Sequence, residues 1–143
     1  MVDVLHHPAG TLLHRHPERS FGWGYGHLAI FGGLAGVGAG LHVVAARIAG
    51  TSHLGSRGTL LALAVPVLVF VLADYAIFSR LARSLDPLHV WLVLSAVALL
   101  CLAIAVAGAS LAWALLLVML APAVTVVGYE VAGHRHVAAL LAR

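Results

Sequence analysis

Four apolar stretches, each near the length a helix needs to cross the hydrocarbon of a bilayer, organise this chain of 143 residues. A crossing takes about 20 residues, and the stretches run over Trp23–Arg47, Thr59–Ser79, Leu88–Ala109 and Leu111–Gly133. Only 9% of the residues are charged and 62% are hydrophobic, whereas a soluble domain carries about 25% charged residues. The chain therefore reads as an all-α protein, a four-helix transmembrane bundle whose first partner is the lipid bilayer.

The organisation follows from where polarity returns. Residues 1–21 form a polar N-terminal segment, 22–136 the membrane domain and 137–143 a short tail. The first twenty residues are His-rich and have no apolar core, so no cleavable signal is expected. The connection 49–57 is rich in Gly, Ser and Thr, and 80–87 carries Arg80, Arg83 and Asp86 before Pro87, a residue suited to a helix's first turn. Around Gly108-Ala109-Ser110 the connection is so short that it forces a tight antiparallel hairpin. Pro66 and Pro122 fall inside helices and predict kinks.

All eight basic residues are arginines, placed at segment ends. Six (Arg15, Arg19, Arg80, Arg83, Arg135 and Arg143) share the side of the termini, against Arg47 and Arg57 opposite. The positive-inside rule then predicts a plasma (inner) membrane protein with both termini cytoplasmic. Charge placed this way is an orientation signal, and no nucleic-acid partner is expected. Cys101 stands alone in an apolar run, which excludes a disulfide framework.

The first stretch is the richest. Gly32, Gly36 and Gly40 make consecutive GxxxG steps, each offset ~40° from the last at ~100° per residue, so that all three fall on one face. Such a stripe lets another backbone approach, so it predicts a helix-packing face. A helix of the same chain is the leading partner; a second copy, or a flat cofactor such as a porphyrin or quinone, are the alternatives. His27 and His42, roughly opposite the stripe, stand about four turns apart, ~22 Å along the axis and ~60° around it. That spacing is similar to the haem ladder of b-type membrane cytochromes. Each haem needs a facing ligand, however, and the later stretches hold no histidine near mid-membrane. One haem between His27 and His89 remains as a lesser alternative.

Depth groups the polar residues. His27, Asp74, His89 and Glu130 sit near the predicted cytoplasmic ends of the four stretches. Asp74 is the deepest, ~7 Å inside its helix end. A carboxylate facing lipid costs ~2.5–3.5 kcal/mol on insertion scales, so Asp74 is expected to point into the bundle and pair with His27, Arg80 or water. His89 and Glu130 are shallower. Imidazole titrates near neutrality and carboxylates supply the complementary charge, so this layer is a candidate proton- or cation-handling site; the structural alternative is a polar pair that fixes helix register. A metal held by His27, Asp74 and Glu130 is conceivable from its N/O donors, with the metal itself unknown. His42 is a second polar position with no counterpart at its own depth.

Trp23, Tyr25, Tyr75, Trp91 and Tyr129 share the same layer and read as interfacial anchors. His6, His7, His14 and His16, with His134 and His136, hint at soft metal capture. An arginine inside each His-x-His pair opposes a cation, and headgroup contact or mere composition is the favoured reading.

The run Tyr25-Gly-His27-Leu28-Ala-Ile-Phe-Gly-Gly33, continuing to Gly40-Leu41, resembles the bacterial low temperature requirement A (LtrA) family of membrane proteins. In that family a Tyr-x-His-Leu motif opens a glycine-rich helix that closes with Gly-Leu-Glu; here His42 stands where the acidic residue falls. Val127-Gly-Tyr129-Glu130, followed by Arg135, resembles the family's last helix. Family members have about twice as many spans, so the resemblance is to their C-terminal part. It implies a transport-like or stress-related membrane role without an agreed substrate.

The expected function is a transporter-like or channel-like module handling protons or cations. A small accessory subunit, packing into a larger complex or a homo-oligomer through the glycine-rich helix, is the alternative. A haem-binding electron-transfer subunit is the lesser one. No nucleophile, phosphate loop or paired catalytic carboxylate is present, so no enzyme is expected.

Overall fold

The computed structural model describes the backbone of residues 18–82 and 87–141, and the side chains of 24–80 and 87–131. It is all-helical: α1 spans Glu18–Ile48, α2 Ser56–Ala82, α3 Pro87–Val106 and α4 Leu111–Leu141. Each contains a segment long and apolar enough to cross a membrane, Gly24–Ile48, Ser56–Arg80, Pro87–Val106 and Leu111–Val131. The six histidines His6, His7, His14, His16, His134 and His136 lie outside the residues whose side chains are described.

The helix ends follow from local chemistry. α1 closes in a Schellman motif around Gly50, whose φ of 74° suits glycine. The Gly50 amide donates to Arg47 O at 3.2 Å and the Thr51 amide to Ala46 O at 3.0 Å, which satisfies carbonyls that the helix leaves open. Ser110 begins α4 by accepting the Trp113 amide at 3.4 Å on its hydroxyl and the Ala114 amide at 3.2 Å on its carbonyl. Pro87 is the first residue of α3, where its missing N–H removes nothing from the helix.

The chain packs as two antiparallel hairpins joined through α2. α1 lies mainly on α2, α3 lies mainly on α4, and α2 bridges to both α3 and α4. The α1–α2 seam is built from glycines. A Cβ at Gly33 would lie 3.1 Å from the Phe70 backbone, at Gly36 2.9 Å from Pro66 Cβ, and at Gly40 2.5 Å from Ala62 O. One at Gly26 would lie 2.5 Å from Ile77 Cγ1.

The packing stripe therefore runs Gly26, Gly33, Gly36 and Gly40, not Gly32, Gly36 and Gly40. Gly32 faces open space, with nothing within 4 Å of its Cβ position. The physical reason is the repeat. Positions 26, 33 and 40 recur every seven residues, the period of left-handed helix pairs, whereas GxxxG steps trace a four-residue ridge that drifts off that seam.

The remaining core is made of small side chains. Ala96, Ala103, Ala107, Ala114 and Ala121 are essentially fully buried between α3 and α4, beside Leu100 and Val118. Leu60, Leu63, Ala64, Val67 and Val71 of α2 complete the cluster. Small residues let membrane helices gain dispersion contact where lipid offers no hydrophobic driving force. The outer surfaces are apolar, as helices facing lipid require.

Candidate functional site

At the end of the bundle where α2 and α4 finish and α3 begins, the alanine seam gives way to rings. His89 of α3 stacks on Phe78 of α2 with centroids 4.2 Å apart and planes 23° from parallel. Tyr129 of α4 meets His89 at 4.8 Å and Phe78 edge-on at 5.8 Å. Tyr75 lies 6.0 Å from His89. A cavity of about 320 Å³ opens beside these rings.

Asp74 and Glu130 both line this cavity, as does His89. Three of the four polar-layer residues thus share one space. His27 does not: it is half-buried on α1, tilted against Phe31 at 6.3 Å, and it is not among the cavity's lining residues. At ~100° per residue His27 falls ~120° around α1 from the centre of the seam, off the face that meets α2. Asp74 departs from expectation as well. It lines the cavity yet remains exposed at its edge. Its polarity is met at an open rim and not by burial against His27 or Arg80.

His42 is exposed on α1, diametrically opposite the glycine seam. Among the described residues no three His, Cys, Asp or Glu side chains converge as metal ligands. The metal arrangement of His27, Asp74 and Glu130 is therefore not formed; His27 is turned to another face. Of the two histidines of the haem alternative, His89 lines this cavity and His27 does not.

Two tyrosines read from sequence as anchors, Tyr75 and Tyr129, are instead half-buried cavity walls. Phe78 and Thr125 also line it, Thr125 donating from its hydroxyl to Pro122 O at 2.7 Å. A signal for them exists in the spacing. Val71, Asp74, Tyr75 and Phe78 recur at three to four residues on α2, and Thr125 and Tyr129 are four apart on α4, so each set falls on one helical face.

A membrane protein of four candidate spans, with acidic and aromatic side chains gathered at one end of its inner three helices, is the class these features define. The chain belongs to the bacterial low temperature requirement A (LtrA) family, whose model matches residues 3–124. The match takes in α1, α2, α3 and half of α4; the likeness of Val127–Glu130 to the family's last helix lies beyond it. No curated protein and no solved structure matches the chain.

Proposed function

We propose that this LtrA-family protein is a transporter-like membrane module that handles protons or cations at the cavity between α2, α3 and α4. The observation that carries the reading is the presence of both Asp74 and Glu130 on one cavity at a helix-end layer of the span. Carboxylates in a membrane span are costly and mark ion or proton pathways. His89, on the same wall, adds an imidazole ring. No catalytic role is proposed. With the arginine distribution as the guide, the cavity faces the cytoplasm and both termini lie there.

Reconstitution tests this reading. Proton or cation flux into liposomes is expected for the native chain and is expected to fall strongly in Asp74→Asn. Equal flux in the two proteins would remove Asp74 from the site.

A second reading rests on the outward face of α1. His42 lies within a candidate span and is exposed there, next to the small residues Gly38 and Ala39. A polar side chain presented to lipid favours a partner helix, from another copy or from a larger complex in which this chain is an accessory subunit. Stoichiometric copurification of another membrane protein would favour the accessory form.

A further inference from the structure

We infer that the ligand of this cavity is an organic ammonium ion, not a bare metal cation; the inference rests on the cavity assigned above as the cation site. Three features of the walls point to this class of ligand. The rings of Tyr75, Phe78 and Tyr129 line the space, and aromatic faces attract cations through their quadrupole, most strongly where water is displaced. Asp74 and Glu130 supply negative charge on the same space, which sets the sign of the guest. Val71, Val93 and Val126 also line it and suit alkyl substituents, and Phe70, His89 and Thr125 complete the wall.

The alternative guest is a small metal ion stripped of its water. Such an ion demands several oxygen or nitrogen ligands at close range, and among the described residues no cluster of three acidic, His or Cys side chains is formed. An alkylammonium needs no such cage. Its charge is spread over methylene groups, and it is satisfied by π faces together with carboxylates at longer range. A cavity of about 320 Å³ is at the lower end of small-molecule sites, which run from about 300 to 1,000 Å³. A compact amine fits it better than a large amphiphile.

Calorimetric titration of the full chain in lipid nanodiscs tests the inference, with tetraethylammonium chloride as the probe and sodium chloride at equal ionic strength as the reference. Saturable tetraethylammonium binding is expected, with no saturable sodium binding. Tyr129→Leu is expected to weaken it on the order of ten-fold, while Tyr129→Phe, which keeps the π face, binds as the native chain does. Asp74→Asn combined with Glu130→Gln is expected to abolish binding, with unchanged helicity by circular dichroism. Tetraethylammonium binding no tighter than sodium, or Tyr129→Leu binding like the native chain, would overturn the inference. The liposome assay separates the two readings. Sodium or proton flux that depends on Asp74 without ammonium binding sinks this inference and leaves the transport reading standing. Ring-dependent ammonium binding without flux supports this inference and sinks the transport reading.

Discussion

Gly40 of α1 lies against the backbone carbonyl oxygen of Ala62 in α2, and a Cβ at Gly40 would come within 2.5 Å of it. That oxygen is the one Pro66, four residues on, leaves without its helical N–H donor. The facing glycine brings its Cα–H to the freed acceptor, a weak hydrogen bond of the kind common between close helices. The proline and the glycine are thus two halves of one contact. Gly36, set against Pro66 itself, accommodates the ring.

Gly40→Ala should therefore be costly, because the atom it meets is backbone and cannot rotate aside. A loss of about 1–3 kcal/mol is expected from overpacking. Gly32→Ala, on the same helix but facing open space, should be neutral or stabilising by up to about 1 kcal/mol through helix propensity. Thermal unfolding of both variants in detergent measures the contrast. Equal stabilities would place the seam on another face of α1.

The Gly36–Pro66 contact makes a coupled prediction. Gly36→Ala alone should destabilise, and Pro66→Ala should relieve part of that loss by removing Cγ, 3.0 Å from the new methyl, while keeping Cβ at 2.9 Å. A coupling energy of about 0.5–3 kcal/mol is expected in the double-mutant cycle, as for residues in direct contact. Strict additivity would deny the contact.

Thr59 is fully buried, and its hydroxyl has no hydrogen-bond partner among the described residues. Thr59→Val keeps the shape and removes the unsatisfied group, so stability should rise by about 1 kcal/mol. A drop in the unfolding midpoint would show that the hydroxyl has a partner.

His42 offers a test of association through α1. In a Cys101→Ser background, His42→Cys should give an oxidised dimer if two copies meet on this face, since a disulfide needs Cα atoms within about 7 Å. A cysteine that stays monomeric under oxidant in native membranes would exclude pairing of two copies at that position.

What was legible in the sequence divides along physical lines. The spans were legible because hydrocarbon solvent imposes length and apolarity on every segment, and each of the four expected segments falls on one observed helix. Depth was legible too, as it depends only on counting along a helix. Azimuth was not. It placed His27 with Asp74, although α1 turns His27 away, and it chose Gly32 over Gly33 because a GxxxG pattern does not state the hand of the helix pair. The cavity was invisible for a related reason: its rings are ordinary interfacial aromatics until Phe78, His89 and Tyr129 meet across three helices.

The alanine seam beneath those rings has a mechanical consequence. Below the level of Val71 the inner helices pack small side chains, Ala96, Ala103, Ala114 and Ala121 among them, that are buried from solvent. A solute entering the cavity from the polar end would meet this packed layer. Passage to the other side would require these helices to slide or part, and side chains with so little to interdigitate offer a low-friction surface for doing so. The same small residues that seal the barrier also make it the part of the bundle best suited to move.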